Sequence, residues 1–293
     1  MTNIISSATI FLCRIFAYLP LGVTYRISDI IYPLVRHMLK YRRKVVRRNL
    51  RNSFPGMEET WYDSVEAGFY RHLCDCIMET IKLLHISDEE MRRRVTIRNV
   101  ELIEDIAKEN RPIILFLGHY GNWEWVQEIT RRYTTPEVSG EIYRPISSRI
   151  GSMLMERIRS RYSTRLIPQK TAVRTIIGMR QQHGTFLIGF ISDQRPIRRS
   201  LNHWTHFLNQ ETPYMVGGEE IGRHIGAAFL YLDIEKPRRG HYIMTVKDMR
   251  PSDTEQEYPY TLLYMQMLEA TIKRAPQYWL WTHKRWKHKR EKQ

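Results

Sequence analysis

Two short runs constrain this chain more than any other feature. Residues 112–118 read PIILFLG, and residues 185–192 read TFLIGFIS. Both are apolar at successive positions rather than alternate ones, and glycine punctuates them. A strand that is apolar on both faces is buried on both faces, as in a parallel sheet covered by helices. Helical periodicity flanks these runs. Within 61–84, Val65, Phe69, Leu73, Cys76, Ile77 and Ile81 recur mostly at three or four residues, and 171–182 and 258–274 also read as helices. Further strands are expected over 138–143, 227–234 and 241–247, the last two joined by the turn KPRRG. A short strand leading into a helix is expected over 96–103. Thr212 before Pro213 reads as a capped helix start. The alternation predicts an α/β fold with a mixed central sheet flanked by helices.

With 293 residues and 42% apolar content, the chain can bury one large α/β domain with an appendage. The appendage is expected at the amino terminus. Residues 4–23, IISSATIFLCRIFAYLPLGV, are mostly apolar but are interrupted by Arg14 and Pro20. Wound as a helix, they place Asn3, Ser7, Arg14 and Tyr18 on one narrow side. A clean spanning helix needs about 20 apolar residues without a central charge. A secretory signal needs a basic start and a small-residue cleavage site. The pattern therefore predicts an interfacial helix or a single marginal span. The alternative is a buried helix followed by a solvated charged one. Residues 40–51, KYRRKVVRRNLR, add Lys40, Arg42, Arg43, Lys44, Arg47, Arg48 and Arg51, which suit an anionic cytoplasmic leaflet. The turn SFPG (53–56) closes this arm. The expected division is a membrane-associating helix and basic arm over 1–56, then an α/β domain over 57–293.

The net charge of +15 and pI near 9.8 favour anionic partners. Zinc-finger spacing and an RNA-recognition signature are both missing, so nucleic acid is not the expected partner. Cys13, Cys74 and Cys76 form no CxxC pair, and reduced structural thiols are expected.

The chemistry is concentrated in FLGHYGNWEW, residues 116–125. It begins at the end of a buried strand, where open α/β sheets gather ligands. His119 sits there as a candidate general base. An imidazole takes a proton from a hydroxyl if a carboxylate fixes its tautomer. Glu124, brought back across a turn flanked by Gly118 and Gly121, is the expected carboxylate. Asn122 is the expected cap of a helix over 123–133, and its amide is a candidate substrate contact. Asp193 and Gln194 end the second apolar strand as candidate acceptor contacts or braces. Arg144 is a candidate for an acceptor phosphate. Trp279, Trp281 and Trp286 read as packing, and Lys284, Arg285, Lys287, Lys289, Arg290 and Lys292 as a solvated tail. GxSxG and HExxH are both missing, which disfavours a serine esterase and a zincin. His203 and His206 in HWTH lack a third ligand, so no metal or cofactor is expected. What remains is direct attack by a substrate hydroxyl on an activated acyl group, with no covalent acyl-enzyme.

HYGNWE resembles the H-x4-[DE] motif of the lipid A late acyltransferases, which glycerolipid acyltransferases share. RRKVVRRNLRNSFP, EIYRPI, ISDQ, FLNQETPYMVGGEEIGRHIGA and APQYWLWTHKRWK resemble other segments of the lauroyl/myristoyl transferases in the same order. The resemblance implies a glycerolipid-acyltransferase-like fold. It implies acyl transfer from acyl carrier protein to a hydroxyl of a phosphorylated glycolipid, the lipid A precursor, at the cytoplasmic face of the bacterial inner membrane. Ser147 and Ser148, and Phe207-Leu208-Asn209, depart from the family pattern and bear on the acceptor. Rival expectations are a similar enzyme acting on another glycolipid, mannoside or aminolipid, and a non-enzymatic basic protein that binds membrane or nucleic acid.

Overall fold

The computed structural model describes residues 11–144, 149–162, 164–198 and 201–290. Its centre is a seven-stranded mixed sheet. The strands are β1 (Val95–Arg98), β2 (Ile113–Leu117), β3 (Ser139–Tyr143), β4 (Arg165–Pro168), β5 (Leu187–Ile191), β8 (Ala228–Arg238) and β9 (His241–Asp248). They are ordered β1-β9-β8-β2-β5-β3-β4. Only the β8–β9 pairing, across the expected turn, is antiparallel. The two apolar runs became β2 and β5, neighbours at the centre. All residues of β2 are buried, which explains why its sequence does not alternate.

β6 (Trp204–Phe207) and β7 (Gln210–Pro213) form a separate antiparallel hairpin. This corrects the expected helix start at Thr212. Leu208 and Asn209 both adopt positive φ, +50° and +58°, as a two-residue hairpin turn requires. Thr212 then pairs with Thr205 in the ladder, and the following helix begins only at Gly217.

The amino-terminal stretch is helical over 11–18 and breaks at Leu19 and Pro20. Helix α1 (Leu21–Pro33) follows and continues as a π-helical turn over Leu34–Met38. Residues 4–10 of the expected amphipathic helix lie outside the described residues. Among the described residues, no helix is long and apolar enough to cross a membrane. Helix α2 (Arg43–Ser53) carries most of the basic arm, and α3 (Glu59–Lys82) lies against both α1 and α2. The inner face of α1 is polar: Ser28 donates to Asp75 and Tyr25 to Glu79. Lys82 donates to the carbonyls of Ala17 and Leu19, both at 2.9 Å, and so caps the first helix. The outer face leaves Val23, Ile30, Leu34, Met38 and Leu39 exposed.

Candidate active site

The register of the sheet assembles the site. Leu117 pairs with Ile191 where β2 and β5 end. Two residues further along each chain come His119 and Asp193, side by side. Asp193 Oδ1 lies 2.5 Å from His119 Nδ1. Its Oδ2 accepts the His119 backbone N–H at 2.9 Å and the Trp279 indole N–H at 2.8 Å. Asp193 is enclosed while the His119 ring is partly open. Burial alone would raise the Asp193 pKa. The charge of the His119 ring and the bonds from His119 and Trp279 outweigh it and hold the carboxyl below the usual range. When the ring is neutral and Nδ1 donates to Asp193, Nε2 presents the lone pair. The Gln194 amide nitrogen lies 3.3 Å from it.

The carboxylate on the ring is therefore Asp193, and the expected contact of Glu124 with His119 is not formed. Glu124 turns the other way and pairs with Arg159 at 3.0 Å, on the helix Arg149–Arg159. Arg159 is also 3.1 Å from Glu141 of β3. The reason lies in the turn. Asn122 Oδ1 accepts the N–H groups of Glu124 and Trp125, and the chain enters a 3₁₀ helix over Trp125–Arg131 rather than an α-helix. Asn122 thus caps the turn, whereas the residue that opens the 3₁₀ helix itself is Glu124. Asn122 Nδ2 donates to the buried Glu79 at 2.7 Å, so this side chain lies behind the turn and both ends of its amide are engaged. Arg144 is exposed just beyond the end of β3.

A mainly apolar groove of about 760 Å³ runs up to Gln194. Val35, Leu39, Leu73, Ile77 and Leu280 line it, with Arg42 and His283 among its polar residues. The carboxy-terminal segment forms one side. Leu280 N–H bonds to the His119 carbonyl and Gly121 N–H to the Tyr278 carbonyl. A groove of this size and lining suits a chain-like apolar ligand.

Two buried groups escaped the sequence. Trp279 read as packing, yet it holds Asp193. Arg285 read as part of a solvated tail, yet it is fully buried. It donates to the Pro213 carbonyl, and burial pulls its pKa down to about 10 against the opposing charge of Asp193. The cue available in both cases was an apolar-aromatic context, WLWTHKRW, unlike that of a free tail. Cys76 lies 3.3 Å from His72 Nε2, which superficially resembles a nucleophile with its base. Burial pushes the thiol well up and the imidazole well down, so the pair is neutral and structural. Among the described residues, no group of acidic, histidine and cysteine side chains is arranged to hold a metal. His203 and His206 face Glu257 and Glu211 separately.

Residues 1–288 match the family described as bacterial lipid A biosynthesis acyltransferase. The chain belongs to that family. As a lipid A biosynthesis acyltransferase it aligns along most of its length with relatives that carry that description. It is 22% identical over 277 residues to a lipid A biosynthesis palmitoleoyltransferase of Escherichia coli K12, covering 93% of this chain and 88% of the relative. It is 23% identical over 275 residues to a lipid A biosynthesis lauroyltransferase of the same organism, with the same coverage. A lipid A biosynthesis acyltransferase of Shigella flexneri is 22% identical over 277 residues. The His119 turn and the apolar groove are thus features of a member of this family.

Proposed function

We propose that this acyltransferase moves a fatty acyl chain from a carrier-protein thioester to a hydroxyl of a phosphorylated lipid A precursor, with His119 as general base and Asp193 as the carboxylate that orients it. The observation that carries this reading is the His119–Asp193 clasp at paired strand ends, with Nε2 beside Gln194, which lines the apolar groove. The acceptor hydroxyl displaces the Gln194 amide and gives its proton to Nε2. Its oxygen attacks the thioester carbonyl carbon. The tetrahedral intermediate collapses, the C–S bond breaks, and the leaving thiolate takes the proton from the imidazolium. Asp193 stabilises that imidazolium without becoming protonated. Gln194 is freed to donate to the developing oxyanion. Arg144 meets an acceptor phosphate, and the +15 charge favours an acidic carrier. The names of the relatives support a lipid A-type acceptor.

The outward face of α1 and the adjoining turn, Val23, Ile30, Leu34, Met38 and Leu39, lies against the cytoplasmic leaflet of the inner membrane. The groove wall includes Leu39 and Val35 of the same region, so a lipid tail entering from the bilayer reaches His119 without crossing water.

The test compares His119→Ala, Asp193→Asn and Glu124→Gln in single-turnover transfer, beside thermal melts. His119→Ala and Asp193→Asn should lose about 10²–10⁴-fold in rate with folding intact. Glu124→Gln should act more on acceptor KM, because its carboxylate serves Arg159. Full activity of folded Asp193→Asn with collapse of Glu124→Gln would return the orienting role to Glu124. Mass spectrometry of lipid A from a strain lacking the gene tests the acceptor, and an unaltered lipid A profile would reject it.

A further inference from the structure

Glu79 lies in the last turns of α3, fully enclosed, and makes no contact with His119. Its carboxylate nonetheless gathers donors from separate parts of the fold. Oε1 accepts from the Tyr25 hydroxyl of α1 at 2.8 Å. Oε2 accepts from Asn122 Nδ2 in the turn after β2 and from the Tyr242 hydroxyl of β9, both at 2.7 Å. Its backbone carbonyl takes the Trp125 indole N–H at 3.1 Å. Burial, followed by the charge of Glu79, raises the pKa of both tyrosines, so they remain donors.

A buried carboxylate is tolerated only when its oxygens are satisfied, and here the donors also set geometry. Asn122 is held by Glu79 at one end and holds the Glu124 and Trp125 N–H groups at the other. Gly121, with φ +59°, has its carbonyl 3.2 Å from His72 Nε2, one helical face along α3. The turn that carries His119 therefore rests on α3, and α3 is fastened by the same carboxylate to the amino-terminal helix.

We propose that Glu79 is a positioning residue for His119, and that α1 takes part in catalysis through the Tyr25–Glu79–Asn122 chain of hydrogen bonds. This rests on the reading of His119 as the base. A misplacement of about 1 Å at a catalytic group can cost roughly 100-fold in rate, so loosening the turn should lower kcat and spare KM.

The experiment uses the full chain with Glu79→Ala, Glu79→Gln and Tyr25→Phe, and His119→Ala as control. It measures transfer kinetics and amide hydrogen exchange over 118–125. Glu79→Ala should lose about 10–100-fold in kcat, leave KM nearly unchanged, and expose the turn to faster exchange. Glu79→Gln should recover most of the rate, because its oxygen can accept from Asn122 and Tyr242 while its amide donates to the Tyr25 oxygen. Tyr25→Phe should give a smaller loss in the same direction. Wild-type kcat, or unchanged exchange over 118–125, in folded Glu79→Ala overturns the proposal. If Glu79→Ala does not fold, unchanged kcat and exchange in Tyr25→Phe overturn it. An active His119→Ala would defeat the base assignment instead, and exchange alone would then judge Glu79.

Discussion

Arg159 lies between Glu124 and Glu141, so one guanidinium serves a pair of carboxylates beside β3. Burial raises the Glu141 pKa to about 7; Arg159 lowers it and the neighbouring charge of Glu124 raises it again. The sign follows from linkage. A carboxyl that binds its proton more tightly in the folded state contributes stability at low pH and loses it as pH rises from its ordinary 4.5 towards about 7. The Glu141 contribution to melting temperature should therefore fall between pH 5 and pH 8, against the opposite contributions of buried His72 and His283. Glu141→Gln should flatten that fall and be the more stable protein at the alkaline end. Parallel melting curves for the two proteins across this range would reject the assignment. Asp193 differs because its charge is met by donors on both oxygens, which hold its carboxyl below the usual range despite burial.

Among the elements, close packing of helix on strand does what charge does in the turn. The helix Gly217–His224 packs beneath the central strands. Side-chain atoms of Phe116 approach within 2.8 Å of where a Cβ on Gly218 would stand, and those of Phe229 within 2.5 Å at Gly222. Gly222→Ala should cost about 1–3 kcal/mol through overpacking, read as a lower midpoint in urea with an unchanged slope. No change in midpoint would mean that Phe229 moves aside freely. The hairpin β6–β7 illustrates where local signals mislead. Thr-Pro is a good helix opening, but positive φ at Leu208 and Asn209 had already turned the chain into a ladder. A turn made by a leucine has no strong signature in sequence.

Across the whole molecule, the basic arm and the apolar amino terminus are only partly what their composition suggested. Arg43, Arg47 and Arg51 are engaged by Glu66, Asp63 and Glu59 of α3, whereas Lys40, Arg42, Lys44 and Arg48 are exposed. The apolar side chains divide similarly. Ala17 and Leu21 are buried, and Ile30 and Met38 are 73% and 76% exposed. Deleting the first helix would also strip Lys82 of the carbonyls it caps, so truncation is a poor test of attachment. Ile30→Asp with Met38→Asp leaves the inner face untouched. In flotation with anionic vesicles, the double variant should lose salt-resistant binding and keep a residual salt-sensitive part. Each exposed cation near such a surface contributes about 1 kcal/mol. Unchanged, salt-resistant flotation would place attachment elsewhere on the body.

The sequence by itself determined the strands β2 and β5, the long helices, the mixed α/β class and the place of His119. Each of these is a local consequence of burial, written as an unbroken apolar run or a helical period. It also placed Asp193 at a strand end, because the same apolar signal marks where β5 stops. Only the tertiary structure decided which carboxylate meets the ring. Glu124 is five residues from His119 and Asp193 is 74, yet register across the parallel pair brings the distant residue to 2.5 Å, while the cap at Asn122 sends the near one to Arg159. The same holds for Trp279 and Arg285. Their composition fits packing or a tail, and their places depend on the carboxy-terminal segment folding back over the ends of the central strands β2 and β5. Local periodicity reports whether a residue is buried; which partner it meets depends on strand order and register, and those are properties of the assembled sheet.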